Sequence, residues 1–172
     1  TCFDKHTLIE MNNGKRKPIY KIKTGDILKN NNKVTATFVG LNMHVKMYNM
    51  DGIIVSGSHK VYYKDKCINV NQHPLSKEIT YNKHKLYCLN TEQKTIEIDH
   101  YTFLDWDELL RSEIETLDKI TKSKDIREIH RQLDGGFTGE TEILINGIPK
   151  QIKNVELGDK TGQHSIVIGI FK

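Results

Sequence analysis

Cys2 is the residue whose type and position most directly suggest a reaction, because its sulfur lies within reach of the peptide bond that precedes it. A thiolate at this position can attack the carbonyl carbon of Thr1 through a five-membered ring and turn the amide into a thioester. The alternative is that Cys2 is a small buried residue at the start of a strand, which is the usual situation of a single cysteine. The other residues of the chain have to decide between a reactive and a structural thiol.

His59 is the second candidate for chemistry. It stands in the loop Ser56-Gly57-Ser58-His59, between apolar segments at residues 53–55 and 61–63. Flanking strands fix such a loop and its glycine allows close backbone approach, so the loop is a better place for a catalytic histidine than a charged surface. The alternative interpretation is an ordinary polar turn.

The other cysteines and histidines favour structural roles. Cys67 stands where an apolar residue is expected in the segment 67–70 and is predicted to be structural. The wide spacing of Cys2, Cys67 and Cys88 matches neither a zinc site nor a disulfide framework, so free thiols and a reducing, cytoplasmic setting are favoured, although nothing fixes the localisation. No metal and no cofactor is expected. Solvated or core-packed roles are predicted for His6, His44, His73, His84, His130 and His164.

The composition fits one globular core without a nucleic-acid or membrane partner. The chain has 172 residues, of which 37% are hydrophobic, so a single ordinary core is expected. Its formal charge of +4 comes from 26 Lys and Arg against 22 Asp and Glu scattered along the sequence. Nucleic-acid readers instead show a basic stripe with interleaved aromatic residues. No apolar run approaches the roughly 20 residues that a membrane helix needs.

Short β-strands are predicted to position the candidate residues. Apolar and β-branched segments, separated by Gly, Asn and Asp turns, are typical of a β meander. The predicted strands cover residues 7–11, 34–41, 45–48, 53–55, 61–63, 67–70, 85–90, 95–98 and 101–104. The sequence therefore predicts a mainly β, compact, pseudo-symmetric fold with crossing hairpins and a short helical insertion.

The pattern changes at Asp105, where a helical period begins. Apolar residues recur at helical spacing and are followed by a glycine-rich cap, so one or two helices are predicted in a connector over residues 107–135. The residues that carry this pattern are Ile114, Leu117, Ile120, Ile126, Ile129, Leu133 and the cap Asp134-Gly135-Gly136. The alternating charges of this segment are those of a solvated helix face.

The last part of the chain repeats the first. Residues 137–147 echo residues 3–14 with one residue fewer in the turn, and Gly158-Asp159 falls where Gly25-Asp26 fell. The repeat predicts that residues 136–172 resemble residues 2–40 and pack on the same body. Gly136 takes the place of Cys2. A residue needed only for packing would be replaced by another apolar one, so this difference favours chemistry at Cys2.

Three segments together resemble the Hint superfamily, the autoprocessing domains of inteins and hedgehog proteins. The stretch from Cys2 to Thr7, with Gly25-Asp26 further on, is similar to the family's first block, in which a nucleophilic cysteine follows the scissile bond. The loop Ser56-Gly57-Ser58-His59 resembles its Thr-x-x-His block, with serine in place of threonine. Tyr87-Cys88-Leu89, followed by residues 100–103, resembles the late block. The resemblance implies an autoprocessing domain over residues 2–106.

The resemblance also implies a role for five residues. Cys2 would be the nucleophile, His59 would donate a proton to the amide nitrogen of Cys2, and Ser56 would hold the scissile unit through its hydroxyl. Cys88 would orient or deprotonate Cys2, and His100 is carried over as a further site residue. An imidazole and a second thiol are expected to titrate near neutral pH, which suits the passage of protons.

The sequence departs from splicing inteins at the downstream end. Those proteins end in His-Asn followed by Cys, Ser or Thr, whereas neither Leu104-Asp105-Trp106 nor Phe171-Lys172 supplies this pair, so full splicing would need a downstream segment. The predicted function is an N-to-S acyl shift at Cys2. The resulting thioester would be cleaved or transferred to water, a thiol or another nucleophile, with the upstream polypeptide as substrate. An inactive β-rich interaction module and a trans-acting cysteine hydrolase stay open as alternatives.

Overall fold

The protein is mainly β, as the sequence predicts. The computed structural model describes residues 1–110, 112–113, 115, 137–162 and 165–172. Its strands are β1 (Leu8–Glu10), β2 (Arg16–Pro18), β3 (Ile27–Leu28), β4 (Asn32–Leu41), β5 (Met47–Met50), β6 (Ile53–Ser56), β7 (Lys60–Tyr63), β8 (Lys66–Asn69), β9 (Ser76–Ile79), β10 (Lys85–Thr91), β11 (Thr95–Ile98), β12 (Tyr101–Leu104), β13 (Glu142–Ile145), β14 (Ile148–Gln151) and β15 (Gly169–Phe171). Short 3₁₀ turns lie at Ile19–Lys21, Lys29–Asn31, Val70–Gln72 and Ile152–Asn154.

The described residues form two compact units. The first unit comprises Thr1–Glu108 and Gly169–Lys172, and the second comprises Leu109–Ile168. The first unit thus contains the region in which the sequence predicts an autoprocessing domain. It also contains the last four residues of the predicted repeat. The packing of the whole repeat on the same body stays a prediction.

Small antiparallel sheets build the first unit. The long strand β4 pairs with β10 along one edge and with β15 along the other, and β3 pairs with its first residues. A second sheet has the order β11-β12-β7-β8, and a third has the order β6-β5-β9. The hairpin β1–β2 follows the first residues of the chain. As a result, the end of β6 and the middle of β10 both meet the segment that precedes β1.

Phe3 anchors the start of the chain in the core of the first unit. Its side chain is completely buried, and its ring centroid lies 5.2 Å from that of Phe103 and 4.5 Å from that of His59. Burial of a side chain of this size contributes roughly 2 to 3 kcal/mol to folding. Because Phe3 directly follows Cys2, the same packing fixes the position of the cysteine.

The helix predicted from Asp105 onwards does not begin there. The carboxylate of Asp105 accepts a hydrogen bond from the N–H of Thr91, and the N–H of Trp106 donates to the carbonyl oxygen of Leu89. These tertiary hydrogen bonds hold the segment in a non-helical conformation, so packing overrules the local pattern. Most of the predicted connector, residues 107–135, lies outside the described residues.

The two copies of the sequence repeat share their local structure. The hairpins β1–β2 and β13–β14 have matching registers, and each is followed by a 3₁₀ turn. The ion pair between Lys17 and Asp26 recurs between Lys150 and Asp159. Four backbone hydrogen bonds of the first copy also recur in the second. The N–H of Thr7 donates to Asp4 as that of Thr141 does to Thr138, and the N–H of Ile19 donates to Thr7 as that of Ile152 does to Thr141. Gly25 donates to Val34 and Val34 to Asp26, as Gly158 does to Val167 and Val167 to Asp159. The repeat in the sequence is therefore also a repeat of structure.

Strand β15 joins β4 at equivalent positions of the two copies. Phe171 is the counterpart of Phe38 in the repeat, and the register places these two residues opposite each other. Such a pairing creates a local two-fold axis between the two strands. Trp106 stacks on Phe38 with 3.8 Å between the ring centroids and lies 5.3 Å from the ring of Phe171. The rings of Phe38, Trp106 and Phe171 thus pack together where β4 pairs with β15.

Candidate active site

Cys2 lies between two strands that each place a functional side chain beside it. Phe3 forms antiparallel bridges with the end of β6 and with Tyr87 in β10. Phe3 and Tyr87 exchange both backbone hydrogen bonds, at 2.7 and 3.0 Å, so the next residues along the two segments, Cys2 and Cys88, are cross-strand neighbours. On the other side, Cys2 is hydrogen-bonded to Ser56 at the end of β6. The fold therefore brings together three of the five predicted site residues around the first peptide bonds of the chain.

Ser56 holds the backbone of Cys2 from both ends. The Oγ of Ser56 accepts a hydrogen bond of 2.9 Å from the N–H of Cys2, and the N–H of Ser56 donates to the carbonyl oxygen of Cys2 at 2.8 Å. Both residues are buried. The loop leaves β6 through Gly57, where a Cβ atom would overlap the ring of Tyr48. The serine hydroxyl thus touches the nitrogen of the peptide bond that Cys2 would break.

We expect Ser56→Ala to lower the free energy of unfolding by about 1 to 3 kcal/mol, because the buried N–H of Cys2 would lose its only described hydrogen-bond partner. Urea unfolding followed by circular dichroism measures this change. Ser58→Ala is the matched control, since Ser58 lies in the same loop but is exposed, and it should change stability by no more than about 0.5 kcal/mol. Equal midpoints for the two variants would contradict the assigned hydrogen bond.

His59 is completely buried and has one free nitrogen. Its Nε2 lies 2.8 Å from the carbonyl oxygen of Leu104, and because a carbonyl can only accept, Nε2 carries the proton. The lone pair therefore sits on Nδ1, which is buried without a hydrogen-bond partner among the described residues. Buried acceptors without a partner are rare in folded proteins, so this nitrogen is an unusual feature of the site.

The imidazole of His59 lies against the residue that follows Cys2. The N–H of His59 donates to the carbonyl oxygen of Ser56 at 3.0 Å, and its ring packs on Phe3, the residue after Cys2. Burial lowers the pKa of His59. The fourth predicted site residue therefore belongs to the same cluster.

Burial moves the pKa of every titratable group in the cluster away from neutral pH. It lowers the pKa of His59 to about 3, raises that of Cys2 to about 11, and raises that of Cys88 well above its usual range. The prediction that an imidazole and a second thiol titrate near neutral pH is therefore wrong, because desolvation in the core disfavours the charged form of each group. A resting thiolate–imidazolium pair is therefore disfavoured at both partners.

The low pKa of His59 predicts that the fold loses stability in mild acid. The unfolded chain binds a proton below pH 6.5, whereas the folded protein binds it only near pH 3, so the contribution of His59 is complete above 6.5 and lost as the pH falls towards 3. The full difference is at most roughly 5 kcal/mol. Urea unfolding at about pH 7 and about pH 4.5 should show a smaller loss for His59→Gln than for the parent protein. An identical loss in both proteins would show that His59 is not held neutral by the core.

Cys88 serves as a hydrogen-bond donor rather than a base. It is completely buried, and its Sγ–H donates to the carbonyl oxygen of Leu89 at 3.8 Å. Burial raises the pKa of Cys88 and keeps its thiol protonated, so it is not placed to act as a base. A groove of about 450 Å³ reaches Cys88, and the other residues that line it include Tyr20, Lys23, Phe38, Tyr87 and Ile170. Cys2 is not among the residues that line this groove.

His100 lies apart from the cluster. Its side chain is 70% exposed, its ring packs on that of Tyr101 with 4.0 Å between centroids, and its Nε2 lies 3.8 Å from a carboxylate oxygen of Asp51. A solvated imidazole has no access to the buried sulfur of Cys2. The structure thus brings together Cys2, Ser56, His59 and Cys88 and leaves His100 at the surface.

Two buried carboxylates beside the site were not predicted from the sequence. Asp4 accepts hydrogen bonds from the hydroxyl of Tyr81 at 2.8 Å and from the ammonium group of Lys83, which fixes the segment after Cys2. Asp105 is completely buried, and it follows Leu104, whose carbonyl binds His59. Burial raises the pKa of Asp105. Asp105 could have been recognised as a buried carboxylate because it is an acidic residue within an apolar segment. The sequence around Asp4 has no such feature.

Comparison with known proteins finds no matching family model and no matching curated protein. Within the described part of the chain, no three His, Cys, Asp or Glu side chains are placed to hold a metal ion. None of the helical segments described there is long and apolar enough to cross a membrane. The function must therefore be inferred from the geometry of the site itself.

Proposed function

We propose that residues 2–106 are a Hint-like autoprocessing domain in which Cys2 attacks the peptide bond that precedes it. The main support is that Ser56 Oγ holds the N–H of Cys2, while His59, three residues further along the same loop, has a buried Nδ1 without a described partner. This arrangement collects a nucleophile, a group bound to the leaving nitrogen and a base around one peptide bond.

The reaction follows from the roles of these atoms. The Sγ atom of Cys2 forms a bond to the carbonyl carbon of the preceding residue, and the bond between that carbon and the nitrogen of Cys2 breaks. The thiol proton passes to Nδ1 of His59 and from there to the nitrogen, which leaves as an amine. One amide and one thiol thus become one thioester and one amine. Ser56 keeps the nitrogen in place during the transfer, because its hydroxyl is already hydrogen-bonded to it.

The burial of Cys2 favours a covalently attached substrate. Only 6% of this residue is exposed, so an external polypeptide has little access to the sulfur, whereas the residue before Cys2 is always adjacent to it. This observation favours self-processing over a trans-acting hydrolase. Water, a thiol or another nucleophile would then resolve the thioester.

A fusion with an upstream protein tests the proposal. We expect slow spontaneous release of that protein and faster release with added dithiothreitol or hydroxylamine, because both accept the acyl group better than water does. Mass spectrometry of the two products locates the cut before residue 2. An inert fusion would support the interaction module instead. Cleavage of an added polypeptide by a chain that leaves its own fusion intact would support the trans-acting hydrolase.

Cys88→Ala should slow the thiol-induced release roughly tenfold without abolishing it, because Cys88 is the cross-strand neighbour of Cys2 and its protonated thiol takes up no proton. Gel densitometry over time gives the rate constant. Cys67→Ala is the matched control, since Cys67 lies in β8 and belongs to no part of the cluster, and it should release at the parent rate. Complete loss of release in a folded Cys88→Ala variant would give Cys88 an obligatory role in the reaction.

A further inference from the structure

We infer that Asp105 is a positioning residue for His59. Its buried carboxylate anchors the turn of residues 104–108, and the carbonyl oxygen of Leu104 in this turn sets which nitrogen of His59 carries the proton. The effect on the place of the proton follows from these contacts alone. Its importance for the release of an upstream polypeptide rests on the proposed function, in which Nδ1 of His59 receives a proton.

The proton of His59 is placed by a single contact. A neutral imidazole can carry its proton on either nitrogen, and the hydrogen bond that one nitrogen makes selects the form. In the described part of the chain, Nε2 lies 2.8 Å from the carbonyl oxygen of Leu104, whereas Nδ1 has no hydrogen-bond partner. If this oxygen turned away, Nε2 would lose its acceptor, and no described group would then favour one form over the other.

Asp105 fixes the peptide unit to which the Leu104 carbonyl belongs. This unit is planar and includes the N–H of Asp105, so a contact that holds the N–H also orients the oxygen. The N–H of Asp105 donates to the carbonyl oxygen of Lys94 at 3.1 Å. The carboxylate of Asp105 accepts hydrogen bonds from the N–H groups of Thr91 at 2.9 Å and Asp107 at 3.2 Å. Three hydrogen bonds at Asp105 thus hold the Leu104 oxygen in place.

A carboxylate is an unfavourable group to place in a core. The side chain of Asp105 is completely buried, and acidic side chains are rarely buried unless they are paired. The ammonium group of Lys94 lies 4.0 Å from its Oδ2. An apolar side chain would fill the same space at a smaller desolvation cost, but it could not accept hydrogen bonds from two N–H groups. What the carboxylate adds is therefore a fixed orientation of the turn.

The other end of the turn holds the backbone next to His59. The N–H of Glu108 donates to the carbonyl oxygen of Asp105 at 3.2 Å. The carboxylate of Glu108 accepts a hydrogen bond of 3.0 Å from the N–H of Lys60, the residue that follows His59. The φ angle of Glu108 is 51°, in the left-handed region that is uncommon for residues other than glycine. The turn thus reaches both the ring of His59 and the adjacent backbone, and Asp105 lies between these two contacts.

The nitrogen resonances of the His59 imidazole test the inference in the full chain, because they differ between the two neutral forms of histidine. We expect the parent to show Nε2 protonated and Nδ1 without a proton, with His59→Gln used to assign the signals. Asp105→Ala should move these signals towards a mixture of the two forms. In an upstream fusion it should slow the release induced by dithiothreitol at least about tenfold.

Two further variants complete the test. Asp105→Asn keeps only one of the two acceptor oxygens, so it should shift the signals less than Asp105→Ala and slow release about threefold. This variant decides the test if Asp105→Ala does not fold. Asp107→Ala is the matched control, because Asp107 retains its backbone N–H and its side chain is exposed. It should show the signals and the release rate of the parent.

Unchanged His59 signals in a folded Asp105 variant would overturn the inference, even if release became slower, because the role of Asp105 would then be structural only. A changed proton position with release at the parent rate would overturn the positioning role in the reaction. A parent fusion that releases nothing would count against the proposed reaction alone, because the nitrogen signals still report whether Asp105 places the proton of His59.

Discussion

An upstream fusion that carries Cys2→Ala should remain intact under conditions in which the parent chain releases its fusion partner. The substitution removes the only atom that can form the thioester, so release with dithiothreitol should fall by at least roughly a thousandfold. Cys2 is a small buried residue, and alanine keeps the backbone N–H that Ser56 Oγ accepts, so the variant should stay folded. Gel analysis and intact mass after incubation with the thiol measure the effect.

A second substitution at the same position sharpens this test. Cys2→Ser replaces the sulfur by oxygen, so the acyl shift would give an ester, which hydroxylamine attacks but a thiol does not attack efficiently. We therefore expect slow release with hydroxylamine and almost none with dithiothreitol. If Cys2→Ala still releases its partner by a cut before residue 2, the autoprocessing proposal fails, and the chain is then best regarded as a β-rich interaction module.

Replacement of His59 by glutamine should slow release by roughly a hundredfold or more, because it removes the buried Nδ1 lone pair that is proposed to carry the proton. Glutamine retains an N–H that can donate to the carbonyl oxygen of Leu104, as Nε2 of His59 does, but it cannot take up the thiol proton. Rates are compared on fusions whose folding has been checked by circular dichroism at the same temperature.

His73 provides the matched control for His59. It is also a buried histidine with an unpartnered nitrogen, and its ring packs against Tyr63 and Tyr101 rather than near Cys2. His73→Gln should therefore cost a comparable amount of packing and leave the rate of release unchanged. If His59→Gln releases at the parent rate, His59 is not the group that moves the proton.

Local patterns were sufficient to predict the strands around the site. The β-branched run at residues 34–41 became most of β4, and the alternation at residues 85–90 became most of β10. The turn residues between them were equally informative, because Gly, Asn and Asp adopt the backbone conformations that tight turns need. The placement of Cys2, Ser56, His59 and Cys88 relative to the predicted strands could therefore be inferred from the sequence.

The shifted pKa values of the site residues could not be predicted from the sequence, because they depend on burial. The sequence does not show that the ring of His59 is enclosed by Phe3 and Phe103, and this enclosure is what removes its charge. For the same reason an exposed position for His100 was not foreseen. Asp105 was misjudged as the start of a helix, because its hydrogen bond to Thr91 links residues that are distant in the chain.

The pairing of β15 with β4 has a consequence for the order of events during synthesis of the chain. Thr37 and Lys172, which meet at this joint, are 135 positions apart, and closing a loop of that length costs roughly 4 kcal/mol of chain entropy. Residues 1–108 contain Cys2, Ser56, His59 and Cys88, so the cluster can assemble while β15 is still being made. Ile170 of β15 forms part of the wall of the groove beside Cys88. We therefore expect a stage during synthesis in which the four site residues are in place but the groove beside Cys88 still lacks the wall formed by Ile170.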